Sequence, residues 1–243
     1  MSSKTEGARR YEELSAPSAP GVIWSEAVGF VDAQMARDGA HDWGHLGRVY
    51  VNAHAIHARE GRGDWEVLAL SALFHDVVNL PKNHPDRAKA SELAAEVARG
   101  WLAEASWRDD GARAAVAEAI RCHSFSRGER ATSAEAMMLS DADRLDAIGA
   151  VGIARCFIVG ATLGRDPWHP NDPLATTRPP DQDSWGVDHF FEKLLKLAPN
   201  MYTEAGRAIA ADRHDTMVRF LGSLADELGA PKEPMAMGGV PST

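Results

Sequence analysis

The chain is poor in the features that build disulfide-stapled, membrane-spanning or β-rich proteins. Its 243 residues hold two cysteines, Cys122 and Cys156. Two are too few for a disulfide framework and are not spaced as a metal pair, which points to a reducing compartment. No stretch approaches about 18 uninterrupted apolar residues, and the N-terminal MSSKTEGARRYEELSAPSAPG lacks the apolar run of a signal peptide. These absences predict a cytoplasmic protein with no membrane partner. Strand signals are missing as well: there is no sustained apolar and polar alternation, and no Asn-Gly or Asp-Gly turn between β-branched runs. Positive charge is in deficit, 26 Lys and Arg against 35 Asp and Glu, for a net charge of -9. Neutralising a nucleic-acid backbone takes the opposite balance, so no nucleic-acid partner is expected, although a local basic pocket for one small anion remains compatible.

What is present is helical. With 44% hydrophobic and 25% charged residues, the chain can bury one sizeable core. The composition predicts one helical domain over 21–230 between two disordered tails, 1–20 and 231–243. Apolar residues recur at helical spacing in nine segments: about Trp24 to Arg37, Gly44 to Arg59, Glu66 to Val78, Asp86 to Glu104, Gly111 to Cys122, Ser133 to Ala147, Val151 to Leu163, Val187 to Leu197 and Tyr202 to Leu228. Asp64 is placed to cap the third, and Thr132 with Glu135 forms a capping box for the sixth. The expected fold class is all-α. Residues 164–186, GRDPWHPNDPLATTRPPDQDSWG, carry no clear period and read as a packed lid or loop. Such a loop either shapes substrate choice or pairs subunits of a homo-oligomer.

Three polar groups interrupt this apolar pattern. In SALFHDVVNLPKNHPDRAKAS an apolar helix brings His75 and Asp76 together and then gives way to a loop rich in charge. Adjacent helical residues lie about 100° apart, so the pair can lean toward one object; the plain structural alternative is a core histidine bonded to its neighbour. Upstream, HDWGHLGRV places His41 and His45 four residues apart. Downstream, LSDADRLDAIGA carries Asp141, Asp143 and Asp146. Asp143 and Asp146 share a helix face, whereas Asp141 and Asp143 point about 200° apart. Asp141 suits a cap or a solvated face. Asp143, among Met137, Met138, Leu139, Leu145, Ile148 and Val151, suits deep packing, where a bare carboxylate is costly and a cation is its natural partner.

A histidine, a His-Asp pair about thirty residues on, and an aspartate well downstream resemble the metal-dependent phosphohydrolases of the HD-domain superfamily. The blocks HDWGHLGRV, ALFHDVVNLPKNHPDRAKAS, HSFSRG, LSDADRLDAIGAVGIAR and DHFFEKLLKL are together similar to the bacterial branch that includes nucleoside triphosphate pyrophosphohydrolases. The resemblance implies an all-α HD bundle in which His45, His75, Asp76 and Asp143 hold one divalent metal, with the ADRL segment selecting Asp143 over Asp141. Nitrogen and oxygen ligands without thiolate suit Mn, Fe, Co, Ni or Zn, and Mg if weakly bound. His123, in RCHSFSRG, is then a general acid or a donor to the substrate phosphate. Lys82, Arg87 and Arg144 are substrate-binding candidates, with Lys89 beside them. Some relatives have an acidic residue shortly after the His-Asp pair, where this chain has Asn79 and Leu80. Water is then positioned by Asn79, or the task falls to Asp146 or His123. The implied substrate is a small phosphorylated molecule, with a nucleoside triphosphate favoured. A phosphomonoesterase or phosphodiesterase, a two-iron oxygenase using His84 or His123 as extra ligands, and a silent nucleotide sensor are the alternatives.

Overall fold

The computed structural model describes residues 21–34, 43–78, 80, 89–123 and 130–230. Both anticipated tails lie outside them. The helices are α1 (Gly21–Gln34), α2 (Trp43–Glu60), α3 (Trp65–Phe74), α4 (Ala90–Glu104), α5 (Asp110–His123), α6 (Ala134–Asp146), α7 (Gly149–Thr162), α8 (Asp188–Glu192) and α9 (Glu204–Glu227). Two short 3-10 turns, Leu194–Lys196 and Ala198–Asn200, follow α8. Among the described residues there is no strand, only an isolated bridge between Asp166 and Trp185. The protein is all-α, as the sequence predicts. No single described helix is long and apolar enough to cross a membrane.

The chain groups into two compact units, Met1–Asp146 with Met201–Ala208, and Ala147–Asn200 with Ile209–Thr243. In the first unit α3 is central. It packs against α1, α2, α4, α5 and α6, and every residue from Val67 to Phe74 is buried. Burying each of its large apolar side chains contributes about 1.5–3 kcal/mol. Asp64 caps its start by accepting from the amides of Glu66 and Val67, as anticipated. Its end differs from the periodicity: the helix stops at Phe74 rather than Val78, His75 is the C-cap residue, and the amide of Val77 turns back to the Phe74 carbonyl at 3.0 Å. Apolar spacing continues through Val77 and Val78 because the turn is itself packed in the core. The His-Asp pair thus sits at the end of a buried helix, not within it.

The capping box predicted for α6 is also corrected. Ser133, not Thr132, caps the helix, its hydroxyl accepting from the Ala136 amide at 3.3 Å. Glu135 instead accepts from the amide of Asp64 at 2.6 Å and ties α6 to the start of α3. Asp141 and Asp143 exchange the environments expected of them. Asp141 is fully buried and caps a distant segment: its carboxylate accepts from the amides of Tyr202 and Thr203 at 2.8 Å each and from the Thr203 hydroxyl at 2.7 Å. Burial outweighs these donors and leaves its carboxyl above the usual range. Asp143 is about one-third exposed, at 35% of its side chain. Neighbours in sequence do not reveal which flank of a buried helix opens to a cleft.

In the second unit Phe157 of α7, Phe190 of α8 and Phe220 of α9 pack at ring separations of 5.9–6.2 Å. The 164–186 loop is internally braced. Asp172 accepts from the amides and hydroxyls of Thr176 and Thr177, each at 2.9 Å. Arg178 grips the buried carboxylate of Asp188 with two nitrogens. Burial opposes the ionisation of Asp172, yet the Thr177 and Thr176 donors outweigh it and hold the carboxyl well below its usual range.

Replacing Asp141 with Ala strands the buried amide and hydroxyl of Thr203 and the part-buried amide of Tyr202, and is expected to lower the unfolding free energy by about 3 kcal/mol, read from urea denaturation. A change within experimental error would show that the 202–203 cap is not structural.

Candidate metal centre

Four side chains from three parts of the first unit converge. His45 comes from the first turn of α2, His75 and Asp76 from the end of α3, and Asp143 from α6. His45 Nε2 lies 3.3 Å from His75 Nε2, 3.4 Å from Asp76 Oδ2 and 3.6 Å from Asp143 Oδ1, and His75 Nε2 lies 3.7 Å from Asp76 Oδ2. His45, His75 and Asp143 each offer a ligand atom within 4.8 Å of the other two, and so do His75, Asp76 and His123.

The tautomers follow from the partners. His45 Nδ1 stands 2.7 Å from Asp146 Oδ2, which only accepts, so Nδ1 carries the hydrogen. His75 Nδ1 likewise donates to the Ala72 carbonyl at 2.9 Å. In the neutral rings both Nε2 atoms are therefore acceptors, and they face two carboxylate oxygens that also accept. None of the four atoms has a hydrogen to offer another. A proton or a cation must sit among them. Separations of 3.3–3.7 Å match pairs of ligands held at about 2.0–2.2 Å from one ion with wide angles. The residues fit a divalent metal, and the carbonyl and carboxylate behind the two rings are the usual supports of ligating histidines.

The protonation of the pair follows the same geometry. Burial pushes His45 toward neutrality, but Asp146, then Asp76 and Asp143, outweigh it and raise the ring to about 9. His75 is lowered, chiefly by burial, with His123 and His45 adding to the effect against Asp76. One proton on His45 thus takes the place of the ion when no ion is bound.

Of the other candidates, His123 ends α5 and is buried rather than on the surface, edge-to-face with His75 at 5.1 Å. Its Nδ1 donates to the Ile120 carbonyl at 2.5 Å, and its own carbonyl accepts from Ser140 at 2.8 Å. Asp146 is 1% exposed, and both its oxygens are engaged by His45 and Arg48. It lies behind the His45 ring, on the side away from the converging atoms. Arg144 is brought to Tyr202, its guanidinium carbon 4.8 Å from the ring centre, on the helix face that carries Asp141. Asn79, Lys82 and Arg87 lie outside the described residues, as do His41 and His84. Arg48 was not foreseen; its position three residues after His45, on the same helix face, was the signal available.

The HD-domain family model matches residues 42–148, which span all four converging side chains. Across 191 residues the chain is 31% identical to YpgQ of Bacillus subtilis (strain 168), covering 77% of this chain and 84% of that one. The chain belongs to the HD superfamily of hydrolases. An HD-superfamily hydrolase of Bacillus thuringiensis has a similar structure, with a TM-score of 0.64 and 31% identity over 85% of this chain and 96% of that one. So does B. subtilis YpgQ in complex with ADP, with a TM-score of 0.64 and 29% identity over 83% and 97%. HD domains bind divalent metals, in keeping with the converging acceptors.

An ion taken up at His45 Nε2 would displace the ring's proton, so metal binding is expected to release a proton at pH 7, and affinity to rise about tenfold per pH unit until about pH 9. Calorimetric titration with Mn2+ in buffers of different ionisation enthalpy checks this. The ring's raised affinity also stabilises the ion-free fold fully below about pH 6.5, an increment lost as pH climbs through about 9.

Proposed function

We propose that this HD hydrolase cleaves nucleoside triphosphates at the α-phosphorus, releasing a nucleoside monophosphate and pyrophosphate. The observation that carries the reading is the gathering of His75 Nε2, Asp76 Oδ2 and Asp143 Oδ1 within 3.3–3.6 Å of His45 Nε2, with no hydrogen to share when the rings are neutral. His45, His75, Asp76 and Asp143 hold a divalent ion there. A bound ion supplies Lewis acidity to a phosphoryl oxygen and to water. The ADP complex of YpgQ supports a nucleotide as the ligand.

The chain's own residues divide the remaining tasks. His123 has Nδ1 committed to the Ile120 carbonyl, so a proton it delivers to the leaving pyrophosphate leaves from Nε2. Lys82 and Arg87, which follow Asp76 in sequence, are assigned to neutralising phosphate charge that grows in the transition state. Asp146 is assigned to orienting His45, since both its oxygens are taken and the ring separates it from the converging atoms. Water is then aligned by Asn79 or His123. Arg144, stacked on Tyr202, is assigned to holding the 202–203 segment.

A second reading has one observation in its favour. His123 groups with His75 and Asp76 within 4.8 Å; since His75 Nε2 has one lone pair to give, a second ion there would be held by His123 and Asp76. A stoichiometry of two metals per chain would favour it.

The test is to incubate the protein, with Mn2+ or Co2+ supplied, against nucleoside mono-, di- and triphosphates, counting phosphate and pyrophosphate separately. Monophosphate with pyrophosphate is expected; free phosphate would move the assignment to a phosphomonoesterase. Asp143→Ala is expected to lose both retained metal and turnover, and an unchanged metal content by mass spectrometry would remove it from the ligand set.

A further inference from the structure

Arg48 projects from α2 one turn after His45 and reaches across to α6. Its Nε donates to Asp146 Oδ1 at 2.5 Å and its Nη2 to Asp146 Oδ2 at 3.2 Å. The same Oδ2 accepts from His45 Nδ1 at 2.7 Å. One carboxylate, 1% exposed, is thus held between a buried imidazole and a guanidinium whose side chain is 39% exposed.

We propose that Arg48 is a positioning residue of the metal centre: by gripping both oxygens of Asp146 it fixes the carboxylate that aims His45, and so sets the affinity for the ion without touching it. The proposal rests on His45 being a ligand.

The geometry assigns this role to the paired bond rather than to charge alone. A single bond to His45 leaves the carboxylate of Asp146 free to rotate about its own axis, and the imidazole rotates with its partner. Two parallel N–H donors remove that freedom, because the planar guanidinium matches both oxygens at once. His45 and Arg48 stand three residues apart on one helix face, so the rigid turn of α2 fixes their spacing. Asp146 closes the arrangement from α6. A small tilt of the His45 ring moves Nε2 away from the point that His75, Asp76 and Asp143 also address. Lysine at this position would keep the charge and one bond but lose the fork. A carboxylate this deeply buried also needs a compensating cation whatever the state of the centre, and the Arg48 guanidinium supplies one at both oxygens.

A brace that merely joins α2 to α6 would have the same contacts, so the test must separate the two roles. The full chain, stripped of metal, is titrated calorimetrically with Mn2+ as wild type, Arg48→Lys, Arg48→Gln, Asp146→Asn and the Arg48→Gln/Asp146→Asn double variant, with thermal melting recorded for each. Supporting a supporting residue of a metal ligand, Arg48→Gln is expected to weaken Mn2+ binding about tenfold. Arg48→Lys is expected to lose several-fold while melting near wild type, and serves alone if Arg48→Gln does not fold. In the Asp146→Asn background, Arg48→Gln is expected to add no further loss. Wild-type affinity in Arg48→Lys, lowered melting with unchanged affinity in Arg48→Gln, or additive losses in the double variant would each overturn the proposal. Wild type that binds no Mn2+ would instead defeat the reading of the centre itself, and this proposal with it.

Discussion

Four acceptor atoms addressed to one point cannot remain without positive charge, and much of the first unit serves to keep them there. Each imidazole is turned inward by a fixed partner on its far nitrogen, Asp146 for His45 and the Ala72 carbonyl for His75. Neither ring can relieve the crowding by swapping tautomers, since the outer partners only accept. The repulsion is therefore built into the fold, and it is balanced by the apolar burial of α3 and its neighbours. A proton satisfies the centre in one way and a divalent ion would satisfy it in another, so its acid–base behaviour and its capacity for a metal are two aspects of one constraint.

Helix α6 coordinates these demands. Within six residues it sends Asp141 to the Tyr202 and Thr203 amides, Asp143 to the converging atoms, Arg144 to the Tyr202 ring and Asp146 to His45 and Arg48. Helical geometry explains the division of labour: residues 143 and 146 share one flank, and 141 and 144 share another. The buried carbonyl of Ala142 accepts from Asn52 at 3.1 Å and fixes the helix lengthwise against α2. The flank that faces His45 and the capping flank are therefore set by one register.

Much of this was legible in the sequence. The helical segments, the cap at Asp64 and the absence of strands among the described residues followed from period and composition, because burial imposes the same spacing wherever a helix packs. The family resemblance named His45, His75, Asp76 and Asp143, whose side chains lie near one another in the fold, although the residues alone left Asp141 and Asp143 to be separated by their neighbours. The depths are the reverse of what those neighbours imply: Asp141 is the buried one, because its donors come from a segment some sixty residues away, and no local pattern encodes such a partner. The end of α3 was overrun for a related reason, since the turn at His75 is packed as tightly as the helix before it. Arg48 went unremarked because an arginine on a helix is ordinarily solvated, and only the reach of Asp146 from another helix distinguishes it.

The distance in sequence between Asp141 and its donors has a consequence for synthesis. A chain emerging from the ribosome completes α6 about sixty residues before Tyr202 and Thr203 exist to satisfy the Asp141 carboxylate. Until then the helix must either leave that carboxylate in water or bury it without partners, and the first is far less costly. The seating of α6 thus draws on contacts that only a later stretch of the chain supplies. A truncated chain ending before residue 202 would hold every converging side chain and still lack the cap that seats their helix.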